Sequence, residues 1–139
     1  MRDIKFRHFD TRNNEMRYSD KHDGEFYIDT KGVLYMYAIP KSESGLNVEY
    51  YESYEVMQYI GMKDKNDVDI YEGDIVEGKC LGFCDEDEFK DCVEFSNGSF
   101  CFSREKWKDG TYDWYTLENY DSEDLLVVGN IYQDKNLLT

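Results

Sequence analysis

Proline occurs once in 139 residues, histidine twice, and no apolar stretch approaches the length of a membrane span. Scarce proline beside 13 Tyr, 8 Phe and 2 Trp excludes a disordered chain and favours a β-rich globular one. The missing apolar run excludes a membrane helix. The opening "MRDIKFRHFD" has neither the continuous apolar core nor the small-residue cleavage site of a secretory signal, so the cytoplasm of a host cell is the expected compartment. With only His8 and His22 there is no His-Glu-x-x-His, and Gly-x-Ser-x-Gly and a glycine-rich phosphate loop are absent too. No residue pattern supports catalysis, and a non-enzyme with no organic cofactor is expected.

Positive charge is scarce as well. Sixteen Lys and Arg face 31 Asp and Glu, a formal net charge of −15. A surface of that sign repels phosphates and anionic lipid, which disfavours direct binding to nucleic acid or membrane and favours a host protein with a basic surface. The plainer alternative is charge that serves solubility alone.

What is present reads as strands. "RDIKFRHFD", "TRNNE" and "MRYSD" make a first hairpin, with Ile4, Phe6 and His8 alternating against Lys5, Arg7 and Phe9. Glu25–Ile28 and Val33–Ile39 flank the turn "DTKG" as a second. "PKSESGLN" is the clearest loop and the expected boundary. One domain over 1–139 is expected, with room for two lobes, hairpins in 1–40 and a C-terminal part in 47–139. In "VEYYESYEVMQYI", Tyr50, Tyr54 and Met57 also fit helical spacing, but a strand is expected over Val56–Ile60, ended by Gly61. Further strands are expected at Asp74–Glu77, after a tight turn at Glu72–Gly73, and at Leu125–Tyr132, before a terminal turn or short helix. "DCVEFSNGSFCFS" is the strongest local signal, two β runs joined by Asn97-Gly98, the pair that tolerates a type I′ turn. The fold class is α+β and β-rich, antiparallel hairpins with little helix.

"RDIKFRHFD", "QYIGMKDKNDVDIYEGDIV" and "VVGNIYQDKNLL" resemble, in order and spacing, the YopX-like family of small phage and prophage proteins. The resemblance implies a phage origin, a small barrel-like C-terminal part and no established activity or catalytic residue. One departure is that Asp67 follows Asn66 where the family usually has glycine, which argues against a two-residue primed turn in this loop and leaves the expected strands around it unaffected. The central motif reads as scaffold: Gly61 and Gly73 flank a loop whose Lys63, Asp64 and Lys65 alternate in sign, as solvated loops do. Asp64, Asp67 and Asp69 lack the central Gly and closing Glu of a calcium loop.

All four cysteines fall within Cys80–Cys101, spaced C-x3-C-x7-C-x8-C. A two-residue turn at Asn97-Gly98 pairs Phe95 with Phe100 and Glu94 with Cys101. Cys92, Glu94 and Cys101 then share one face, opposite a core-facing Val93, Phe95, Phe100 and Phe102. Cys80 and Cys84 lie in a loop able to fold back over that face, so Cys80, Cys84, Cys92 and Cys101 are a candidate structural zinc site, with four free thiols as the alternative. A reactive thiol is disfavoured by the negative field of "CDEDE".

The acidic run Asp85, Glu86, Asp87 and Glu88 and the aromatics Trp107, Tyr112, Trp114 and Tyr115 are the candidate partner-binding residues, since such aromatics dominate interfaces. Two functional expectations follow. One is an inhibitor of a basic host enzyme, an anti-CRISPR protein or a blocker of another nucleic-acid-directed defence enzyme. The other is a phage replication accessory factor or a self-assembling module that forms a homo-oligomer.

Overall fold

The structure is a computed structural model and describes residues 1–21, 25–38, 49–53, 55–79, 88–106 and 112–139. Twelve strands and three short 3₁₀ turns make up the regular structure of these residues, and every strand pairing is antiparallel. The chain forms two compact units, Asp3–Gln58 and Tyr59–Thr139 with Met1–Arg2, so the division falls inside a strand. The expected boundary loop, 40–47, lies outside the described residues.

In the unit Asp3–Gln58, β1 (Phe6–Asp10) pairs with β2 (Glu15–Tyr18) and with the first residues of β6 (Val56–Lys63). A three-stranded sheet orders β3 (Glu25–Ile28), β4 (Leu34–Ala38) and β5 (Glu49–Ser53) as β3-β4-β5. The turn between β3 and β4 rests on Asp29, whose Oδ1 accepts from the amides of Lys31 and Val33, and on Gly32 at φ 81°. Both expected hairpins are present. The helical spacing in 49–53 is overruled by pairing with β4, where Tyr37 faces Tyr50 and Met36 faces Tyr51. Backbone pairing with a neighbouring strand outweighs a marginal helical pattern.

In the other unit, β6 does not end at Ile60. It runs through Gly61, at φ 90°, to Lys63, with the register shifting between Tyr59 and Lys63 against β7 (Asp69–Tyr71). Glycine here makes a bulge instead of a stop. A five-stranded sheet, in the order β11-β10-β9-β8-β12, forms a half-barrel from β8 (Asp74–Lys79), β9 (Glu88–Ser96), β10 (Ser99–Lys106), β11 (Tyr112–Thr116) and β12 (Leu125–Asn130). Its core gathers Ile60, Ile70, Val76, Phe89, Val93, Phe102, Leu117, Tyr120 and Leu125. Gly78 belongs to this packing, because a Cβ there would stand 2.7 Å from the Phe89 ring.

The C-terminal motif is also structural. Gly129 leaves room for Asp134, which a Cβ would meet at 2.7 Å, and Asp134 Oδ2 accepts the Asn130 amide. Asn130 Oδ1 in turn accepts from Tyr132 and Gln133, which reverses the chain into the 3₁₀ turn Lys135–Leu138.

Candidate functional site

The central loop is held from inside. Asp64 was expected to be solvated, and it is 3% exposed. Its Oδ1 accepts from the amides of Asn66 at 2.8 Å and Val68 at 3.0 Å, while Oδ2 accepts from Val127, 63 residues away, at 2.9 Å. Val127 lies on the edge strand β12, where every second amide faces away from β8, and the strand bulges just beyond it, between Val127 and Gly129. Asp67 occupies the left-handed region, φ 64°, where the family's glycine would sit without steric cost, and Lys63 pairs with it at 2.9 Å. The turn Tyr71–Asp74 follows the same logic, with buried Asp74 accepting the Tyr71 amide at 2.8 Å and Gly73 at φ 77°. The motif is therefore scaffold, as expected, but through a buried carboxylate.

The cysteine hairpin has the expected register: Ser96 faces Ser99, Phe95 faces Phe100, Glu94 faces Cys101 and Val93 faces Phe102. Asn97 and Gly98 take φ 51° and 83°, the signature of a type I′ turn. Burial departs from expectation twice. Cys92 and Cys101 are 6% and 1% exposed, and Ile75, which pairs with Cys92, is fully buried, so this face is covered as well as the core face. The 3₁₀ turn Lys135–Leu138 also comes close to β9 from the far end of the sequence. Conversely Phe95, expected in the core, is 58% exposed near the hairpin tip, its ring against that of Phe100 with centroids 5.2 Å apart.

Neither Cys92 nor Cys101 is in a disulfide. Burial pushes the Cys101 thiol above its ordinary value, and the charges of Glu94 and Asp91 add to the effect. Cys80 and Cys84 lie outside the described residues. Lys79 and Glu88, which flank that segment, pair with each other four ladder steps from the Ile75–Cys92 pair, roughly 13 Å along the strand. A site using all four thiols requires segment 80–87 to return by that distance. Among the described residues, no three His, Cys, Asp or Glu side chains are placed to hold a metal ion.

Of the candidate partner-binding residues, Asp85, Glu86, Asp87 and Trp107 lie outside the described residues. Tyr112, Trp114 and Tyr115 belong to β11, and Glu88 is exposed at the start of β9. Glu88 lines a groove of about 220 Å³ with carboxylates that sequence reasoning did not single out, Glu77, Glu123 and Asp124. Lys65 and Lys79 complete its charged rim, and Gly78 and Leu126 supply its less polar wall. Glu77 pairs with Lys90 at 2.9 Å, whereas Glu88, Glu123 and Asp124 enter no ion pair among the described residues. The groove is thus acidic, four carboxylates against two lysines. Glu123 and Asp124 come from the 3₁₀ turn Ser122–Asp124, and no local pattern brings that turn to β8 and β9.

The other charged cluster is internal to the unit Asp3–Gln58. Asp10, 5% exposed, accepts from the amides of Arg12 and Asn13 and from Asn13 Nδ2, and pairs with Arg17 Nε at 3.0 Å. Burial works to raise its pKa, but the Asn13 and Arg12 hydrogen bonds and the Arg17 charge outweigh it and hold the carboxyl below its usual value. Arg17 also reaches Glu15 at 2.8 Å, and the group closes the β1–β2 hairpin.

The fold and groove define a strand-rich protein of two small units with an acidic recess and no metal cluster among its described residues. The chain belongs to the YopX protein family, whose pattern matches residues 5–139. Two crystal structures are similar in fold over 100% of both chains: the YopX protein of Bacillus subtilis, 19% identical with a TM-score of 0.66, and a protein of Enterococcus faecalis, 23% identical with a TM-score of 0.60. No curated protein matches. Among the described residues, no helix is long and apolar enough to cross a membrane.

Proposed function

We propose that this is a non-catalytic binding protein whose acidic surface engages a basic face of a partner protein. The observation that carries the reading is the groove, where Glu88, Glu123 and Asp124 gather negative charge without an ion-pair partner among the described residues. A cationic side chain placed there relieves that repulsion, and the net charge of −15 draws such a partner from a distance. Enzymes that handle nucleic acid carry basic faces because they attract phosphate. In the phage setting that the family resemblance implies, the sharpest form of the reading is an inhibitor of a CRISPR nuclease or another defence enzyme. Capture from lysate of a phage host, with elution along a salt gradient and identification by mass spectrometry, tests it. The expected result is a basic protein released by salt and lost when Glu88, Glu123 and Asp124 are changed to their amides.

A second reading, a self-assembling or replication accessory module, is favoured by Phe95, whose 58% exposure puts an aromatic ring at a hairpin tip. It predicts a homo-oligomer that salt does not dissociate.

A further inference from the structure

The two edges of the five-stranded sheet are treated differently. Along β12, the Val127 amide donates to Asp64 Oδ2, the Leu125 carbonyl accepts from the Lys65 amide at 3.1 Å, and the bulge twists the strand. Such devices keep an edge from recruiting another strand. β11 forms the other edge, and among the described residues no strand pairs with its outer side.

The hairpin register tells which backbone groups face outward. A type I′ turn at Asn97-Gly98 makes Ser96 and Ser99 a pair that exchanges both hydrogen bonds. Alternation along β10 then points Cys101 toward β9, and Phe102 and Arg104 toward β11. Their partners Tyr115 and Asp113 bond inward, so Trp114, between them, directs its N–H and C=O away from the sheet. The Thr116 amide points the same way, while the Thr116 carbonyl accepts from Asn119 Nδ2 at 3.4 Å. Leu117 and Tyr120, both buried, anchor the strand just beyond. β11 contains no Pro or Lys, the residues that usually blunt an edge, and Asp113 is its one charge.

We propose that the outer edge of β11 receives an extended, basic segment of the partner protein as an added strand, bonded to the Trp114 backbone and the Thr116 amide. Only another extended backbone satisfies such an array. Its charge follows from the net −15 of this chain, which repels an acidic strand or a second copy. The inference rests on the basic-partner reading for the charge of its occupant, but its site is the edge opposite the groove strands β8 and β12.

The test is residue-resolved amide exchange on the full chain at low salt, with a synthetic peptide of alternating Lys and Val as the probe. In the free protein, the Trp114 and Thr116 amides are expected to exchange faster than those of Asp113 and Tyr115, and saturating peptide is expected to slow them by about tenfold or more. Trp114→Pro, which removes the outward donor, is expected to abolish peptide binding, whereas Trp114→Ala, which keeps it, is not. Strong protection of the Trp114 amide without peptide would overturn the proposal, because the chain would already cover its own edge. So would the absence of peptide binding, or equal binding by Trp114→Pro. Binding that leaves the β11 amides unchanged but disappears when the groove carboxylates are neutralised would overturn the edge proposal and uphold the basic-partner reading.

Discussion

Replacing Asp64 with Asn removes one contact and keeps two. The retained oxygen still accepts from Asn66 and Val68, so the loop keeps its local turn. The new amide nitrogen, however, meets the Val127 N–H donor to donor, where Oδ2 accepted it at 2.9 Å. A hydrogen bond to a charged group contributes about 1.5–3 kcal/mol, and a buried donor left unmatched adds to the cost, so Asp64→Asn is expected to destabilise by about 2–4 kcal/mol. For a chain of this size that corresponds to a fall in Tm of roughly 5–12 °C. Asp64→Ala loses all three bonds and is expected to cost more, while Asp67→Asn, on the exposed side of the same loop, is expected to stay within about 0.5 kcal/mol. Urea unfolding of the three variants measures the differences. An Asp64→Asn variant as stable as wild type would refute the claim that this carboxylate ties the central loop to β12.

Four further outcomes follow. At Asp67, φ 64° leaves alanine less suited than aspartate or glycine, so Asp67→Ala is expected to cost about 1 kcal/mol and Asp67→Gly to be near neutral or stabilising in thermal melts. Because the Asp10 carboxyl is held below its usual value when folded, its contribution is full above the unfolded value near ~4 and is lost as pH falls through the folded one. Melts of wild type and Asp10→Asn across acid pH are therefore expected to converge at the acid end, and a constant gap would contradict this. The raised Cys101 pKa makes its thiol slow to alkylate at neutral pH and removes stability as pH rises past the ordinary thiol value of 9.0; rapid labelling of the native chain would contradict the burial described. The four-cysteine zinc reading predicts stoichiometric metal on untagged protein purified without added zinc, and less than about a tenth of an equivalent would refute it.

The β9–β10 hairpin was fully legible because Asn97-Gly98 sets turn type and register together, and register decides which residues share a face. What periodicity does not carry is how far each face is covered. Cys92 and Cys101 stand opposite Val93 and Phe102 as the alternation requires, yet both are buried. Phe95 has the right parity for the core and the wrong distance from it. Asp64 looked solvated because its neighbours are charged; its Oδ2 accepts from the edge of a strand 63 residues on, which no local pattern announces. The acidic groove was legible only through Glu88, since Glu77, Glu123 and Asp124 converge by sheet order and not by sequence proximity.

The most direct test of the central claim compares capture of the salt-released partner by the wild-type chain and by a Glu88→Gln, Glu123→Gln, Asp124→Asn variant of unchanged Tm. The account predicts that the wild-type complex weakens steadily with rising salt and that the variant fails to form it. An equally tight complex with the variant, or recovery of nothing but an oligomer of this chain, would contradict it.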